Sequence, residues 1–316
     1  MLRKLFLSLL FFPLLGFAQR VDNTASFRYM SKNKYFRISY DNDYFTATDR
    51  YYTQGINLEL VHPHLNKNPL AKTVIRLKKS KIKYGLAIDH FGFTPTSIRR
   101  DTIIKNDRPF AAVIMLKTFA ISFDTVHKTT LSSALSIGAI GPLAFGKGMQ
   151  STIHRWIGDI QPLGWQHQIK NDLAITYEVN FEKQVFDNNF FVFNSDVQLR
   201  VGTLSNKVRT GFNFRIGKLN SPFTLNGNKK FQLFFFNQSL INFIGYDATL
   251  QGGMFSKNSP YTIGSSDVSR IIFQDNFGGV MTYKKLYLEY FQSVITKEFR
   301  TGKLHRWGGV KIGGVF

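Results

Sequence analysis

The sequence predicts an all-β chain, a transmembrane antiparallel β-barrel of about 12 strands with a short helical insertion near residues 148–158. Three observations point there. Segment after segment alternates apolar and polar residues with the period of a half-buried strand. The apolar content is 43%, with 32 Phe, yet beyond the N-terminal leader no stretch approaches the roughly 18 apolar residues of a spanning helix. The chain also closes on Phe316 directly after the alternating Val310-Lys311-Ile312, although Gly314 interrupts the pattern.

The leader comes first. Arg3 and Lys4 precede an apolar run, Leu5 to Phe17, broken only by Ser8, Pro13 and Gly16. Gly16-Phe17-Ala18 before Gln19 reads as a cleavage site, so residues 1–18 form a secretory signal peptide. Residues 19–316 then form one domain, with no linker or composition shift dividing it. Its expected location is the bacterial outer membrane.

The strands follow. In residues 191–202, Phe191, Phe193, Val197, Leu199 and Val201 oppose Asn194, Asp196, Gln198 and Arg200. In residues 208–217, Val208, Phe212, Phe214 and Ile216 oppose Arg209, Asn213 and Arg215. Residues 131–138 set Leu131, Leu135 and Ile137 against Ser132, Ala134 and Ser136. A soluble sandwich would bury the apolar parity; a membrane barrel turns it toward lipid. An Arg facing mid-bilayer lipid costs roughly 2–4 kcal/mol, and these arginines all fall on the polar parity. Aromatic clusters at residues 231–236 and 287–291 are expected to form interfacial girdles.

Charge and cysteine content bound the chemistry. The formal charge of +21 calls for an anionic partner surface, and for an exported chain that is lipopolysaccharide or anionic lipid rather than nucleic acid. The chain has no Cys, which removes thiol nucleophiles and thiolate metal sites. There is no Gly-x-Ser-x-Gly elbow and no ligand spacing of the tetrahedral zinc kind. A monomer is expected.

Two constellations carry candidate chemistry. Residues 41–55, DNDYFTATDRYYTQG, crowd carboxylates, an amide and hydroxyls between two alternating segments. If the apolar faces of the flanking strands point outward, parity turns Asp43 and Thr53 inward as neighbours; the bland alternative is ordinary turn capping. Residues 141–158 join a Gly/Pro-rich lead to a segment of helical period. Gln150 and His154 are four apart and share a face, and Ile153, Trp156 and Ile157 are expected to pack around them. An imidazole with a pKa of about 6.5 suits general-base work, though a lone histidine is commonly structural.

In order along the chain stand ND-Y-F…TDR-x-YT-x-G, NDRPFA, GP…Q-x-x-x-HRWIG, GWQHQ and FRTG. In these segments the chain resembles the LpxR-type outer-membrane lipid A 3′-O-deacylases. The resemblance implies a barrel, an active site between barrel wall and membrane, and calcium-dependent hydrolysis of the 3′-linked acyloxyacyl ester of lipid A. It places catalytic roles on His154, within the matching Gln150-x-x-x-His154-Arg155, and on Asn42 and Thr53, in the matching Asn42-Asp43 and Tyr52-Thr53 pairs. It places metal binding on Asp43, and lipid A phosphate binding on Arg99 and Arg100; Gln150 joins the substrate-binding set. One departure matters. Where the family carries an acidic residue after the histidine, this chain has Ile160, with Asp159 beside it as the candidate second ligand. Two other functions use the same features: an outer-membrane phospholipase, and a non-catalytic barrel or porin.

Overall fold

The computed structural model describes residues 23–46, 50–221, 223 and 230–316. The expected leader, residues 1–18, lies outside them, as do Thr48 and Asp49 of the polar stretch. The strands are β1 (Tyr35–Asn42), β2 (Tyr51–Val61), β3 (Lys81–Thr94), β4 (Ala111–Asp124), β5 (Thr129–Ile140) and β6 (Asp172–Asp187). The second half comprises β7 (Phe191–Gly202), β8 (Ser205–Lys218), β9 (Phe231–Asp247), β10 (Ile271–Tyr283), β11 (Leu286–Ile295) and β12 (His305–Val315). Each pairs antiparallel with its sequence neighbours. The sheet closes where β1 meets β12, from Tyr35 opposite Val315 to Asn42 opposite Gly308. The expected strand count is therefore met.

Alternation decides which way the wall faces. Along β1, Phe36 and Ile38 are exposed while Arg37, Ser39 and Asp41 are buried. Ile88, Leu116 and Ile312 likewise face out, at 45%, 53% and 55% exposure, beside inward Asp89, Lys117 and Lys311. Apolar side chains thus stand outside and charges inside, the reverse of a soluble sandwich and the arrangement that lipid requires.

The lumen is filled by polar pairs. Arg37 meets Glu59 at 2.8 Å, Lys117 meets Asp89 at 3.2 Å and Arg209 meets Asp196 at 3.5 Å. Four of the seven aromatics in the expected girdle segments also point in. Phe234, Phe236, Tyr287 and Phe291 are buried, while Leu233, Phe235 and Tyr290 remain on the outer face. These positions keep strand parity, and residues 23–30 lie within the lumen, where the Phe27 ring stacks on Phe236 at 4.3 Å. Inward aromatics therefore have an apolar partner inside the barrel.

The start of β1, the end of β12 and the tight turns at 125–128, 188–190 and 284–285 lie at one end of the barrel wall. The connection 62–80 also lies there, whereas the two longest connections, 141–171 and 248–270, lie at the other end with 95–110. In outer-membrane barrels the longer loops are extracellular, so that end faces out of the cell. Arg108 of the NDRPFA segment ties these loops together. It pairs with Glu298, donates to Thr249 Oγ1 at 2.8 Å and lies 3.9 Å from the centre of the Phe93 ring.

Candidate active site

The site is built where β2 breaks its own pattern. Tyr51 has a left-handed backbone (φ 70°), and the register with β3 shifts between Tyr52 and Gln54. Thr53 is the extra residue of this bulge, which re-aims its side chain. Tyr52 stays inside, stacked on Trp307 at 4.6 Å. Thr53 turns to the outer wall, against Gly92 of β3, where a Cβ would stand 3.2 Å from Thr53 Cγ2. The inward placement expected for Thr53 from parity is therefore corrected: parity counts residues, and a bulge adds one.

The helical insertion covers this patch. Helix α1 (Gly146–Ile157) begins after Phe145, itself left-handed at φ 57°, and ends at Gly158, at φ 70°. It starts two residues earlier than expected, because Gly146 lies within the first turn and must be glycine. A Cβ there would stand 2.4 Å from Ala112 Cβ and 2.6 Å from the Trp165 ring. Gly146, Gln150 and His154 recur every four residues and form the buried face, laid on the outer wall of β2 to β4. Trp156 and Ile157 do not pack around this face as expected. They are 79% and 60% exposed, and with Phe145 and Leu143 they form an apolar fringe. On a lipid-facing wall the outer side of a helix has no water to avoid.

A chain of hydrogen bonds links four residues. Trp165 Nε1 donates to Gln150 Oε1 at 2.6 Å, and Gln150 Nε2 donates to Thr53 Oγ1 at 2.8 Å. Asn42 Nδ2 donates to the Thr53 carbonyl oxygen at 2.5 Å. Gln150 thus uses both ends of its amide, which fixes its orientation. Thr53 Oγ1 accepts from Gln150, so its own proton is left to donate elsewhere.

His154 lies one helical turn beyond Gln150 and is buried. Its Nδ1 is 2.6 Å from the Ile160 carbonyl oxygen. A carbonyl only accepts, so in the neutral ring Nδ1 carries the proton and Nε2 the lone pair. The position that departs from the family pattern therefore holds the histidine through its backbone. Asp159 Oδ2 stands 3.7 Å from the same Nδ1, on a half-exposed side chain.

The remaining candidates fall around this core. Asp43 is buried in a 3-10 turn, Asp43–Thr46, and its Oδ2 accepts the Arg50 N–H at 2.7 Å. Arg99 and Arg100 are exposed on the 95–110 connection. That connection is pinned beside the segment after α1: Leu163 N–H donates to the Ile98 carbonyl at 2.9 Å, and Gln166 Nε2 to the Asp101 carbonyl at 2.9 Å. Asn42 Oδ1 is taken by the Tyr44 N–H at 2.7 Å. Among the described residues no three His, Cys, Asp or Glu side chains converge as a metal cluster. Calcium takes about 6–8 oxygen ligands. Asp41 and Asp43 flank Asn42 in the chain, and no third such side chain joins them among the described residues, so this donor set does not by itself fit the ion.

Sequence reasoning assigned no role to Trp165 or His90. His90 sits on the outward parity of β3, between Ile88 and Gly92, and its Nε2 meets the Ala144 carbonyl at 2.7 Å. A histidine at a lipid-facing position was the signal that something covers it.

Residues 5–316 match the family described as outer membrane protein LpxR. The chain belongs to this family. A solved structure of LpxR from Salmonella typhimurium superposes with a TM-score of 0.74 at 21% identity, covering 89% of this chain and 100% of that one. The β-domain of the Bordetella autotransporter BrkA aligns at a TM-score of 0.46 and 8% identity, over 90% of this chain and 99% of its own. That likeness is too distant to add to the argument. No curated protein matches the chain significantly. Family and closed barrel together place the protein in the outer membrane.

Proposed function

We propose that this protein is a lipid A deacylase that hydrolyses the 3′-linked acyloxyacyl ester in the outer leaflet. The observation that carries the reading is the held histidine. His154 presents Nε2 as a base on the lipid-facing wall, at the extracellular end, one helical turn from Gln150 and the Thr53 it holds. The family resemblance supplies the substrate class, and the exposed Arg99 and Arg100 suit glucosamine phosphate through charge-assisted bonds.

The chain's own groups account for the proton traffic. Nε2 of His154 takes a proton from water as its oxygen attacks the ester carbonyl carbon. The tetrahedral oxyanion receives a hydrogen bond from the Thr53 hydroxyl, which Gln150 orients. When the C–O bond to the sugar breaks, the imidazolium returns its proton to the leaving 3′ oxygen. The Ile160 carbonyl holds the ring in the same orientation throughout. Asn42 acts on the Thr53 backbone, holding the bulge in place.

Calcium dependence belongs to this reading on the family resemblance alone, and no step above is routed through the ion. The test is lipid A mass spectrometry on cells with and without the chain, repeated with a calcium chelator. Loss of the 3′ acyl group only when the chain is present supports the reading. Release of fatty acid from glycerophospholipid instead would assign a phospholipase.

A further inference from the structure

We propose that residues 23–30 are a built-in plug that seals the barrel, so that the folded chain does not conduct ions through its lumen. A barrel of eight strands is just filled by its own side chains, whereas sixteen leave an aqueous channel. The twelve strands here lie between these cases, and a second layer of chain supplies the filling.

This short segment touches opposite sides of the ring. On one side, Arg37 of β1 donates to the Arg28 carbonyl at 3.0 Å, and Lys311 of β12 donates to Asn23 Oδ1 at 2.5 Å. On the other side, Ser26 N–H donates to Glu182 of β6 at 2.8 Å, and Asn194 of β7 donates to Ser26 Oγ at 3.0 Å. In the closed order β1 and β12 stand across the lumen from β6 and β7, so the segment spans the full bore. Between these anchors Phe27 stacks on Phe236, and Arg28 pairs with Glu289 through Nε at 2.9 Å, both side chains fully buried.

The pairing is specific on both sides. A buried guanidinium is costly unless paired and hydrogen-bonded, and Glu289 meets that need only with the segment seated. Glu182 accepts from both the Ser26 N–H and the Ser26 hydroxyl, beside a hydrogen bond from Asn213 of the wall. Charges that would line a wet pore are here spent on holding a plug.

The test uses the full chain in planar bilayers. The parent is expected to give no lasting conductance. A variant with Ser26→Gly, Phe27→Ala and Arg28→Ala is expected to conduct at least tenfold more. Equal conductance of parent and variant, whether open or closed, overturns the proposal. Because the chain contains no Cys, a Ser26→Cys/Asn194→Cys pair offers a second measurement that stands even if the triple variant fails to fold. A short bifunctional thiol reagent should join the two peptides in the folded protein, as read by mass spectrometry. Failure to join them overturns the proposal as well.

Discussion

Gln150 on helix α1 donates a hydrogen bond of 2.8 Å to the hydroxyl of Thr53 on the barrel wall. The contact joins the helical insertion to the β2 bulge, and each element explains the other. The bulge brings Thr53 outward, and the helix covers it with a donor whose other end is held by Trp165.

Replacing Thr53 separates structure from chemistry. Thr53→Ala removes the hydroxyl assigned to the oxyanion, and loss of such a donor typically lowers kcat about 10²–10³-fold. It also leaves a buried Gln150 amide unpaired, at a cost of about 1–3 kcal/mol. Thr53→Ser keeps the hydroxyl and is expected to recover most of the rate. Turnover of lipid A in mixed micelles, with heat-modifiable gel migration as the folding control, reads both effects. A serine variant as slow as the alanine would detach Thr53 from the chemistry.

Asp159 is expected to matter little. Its carboxylate is half exposed and 3.7 Å from His154 Nδ1, whereas the Ile160 carbonyl is at 2.6 Å. An exposed pair of this kind is worth about 0–1 kcal/mol, so Asp159→Asn should lower the rate by less than about tenfold. A larger loss in steady-state kinetics would show that the carboxylate has a direct role, such as holding an ion.

The apolar fringe of α1 predicts contact with hydrocarbon. Of the three tryptophans, Trp165 and Trp307 are 1% exposed and Trp156 is 79% exposed. Lipids brominated on their acyl chains should therefore quench Trp156 selectively. Trp156→Phe should abolish most of the quenching while leaving the fold intact. Unchanged quenching in that variant would place the fringe outside the acyl layer.

Glu298, on the connection between β11 and β12, predicts a pH dependence. Burial pushes its carboxyl from 4.5 up to about 7, against the pull of the paired Arg108, and Asp247 adds to the rise. The folded state then holds this proton more tightly than the unfolded one. The resulting stability is complete below the ordinary carboxylate pKa and is lost as pH rises through the folded value. Proteolytic cleavage of the 296–304 connection should quicken between about pH 5 and about pH 8, and Glu298→Gln should flatten that slope. An unchanged slope in the variant would assign the pH dependence to another group.

Much of the wall was legible because lipid enforces alternation. Residues 191–202 read as a strand and form β7 with those bounds, since its outward positions are apolar except Ser195. The helical insertion was legible from the spacing of Gln150 and His154. Three features were not. The bulge at Thr53 leaves no trace in hydropathy, because Thr is tolerated on either face. The outward turn of Trp156 and Ile157 follows from lipid outside the helix, which a soluble reading of amphipathicity inverts. Residues 23–30 carry no period at all, and Ser26 and Arg28 find partners at Glu182 and Glu289, far along the chain.

The most direct test of the account concerns His154. Loss of a general base lowers a rate by about 10²–10⁴-fold. Lipid A should be extracted from cells carrying either the parent or His154→Ala, with both shown to be folded in the outer membrane. Mass spectra are predicted to lack the 3′ acyl group for the parent and to retain it for the variant. Equal loss of that group from both would contradict a histidine-activated hydrolysis on the outer wall.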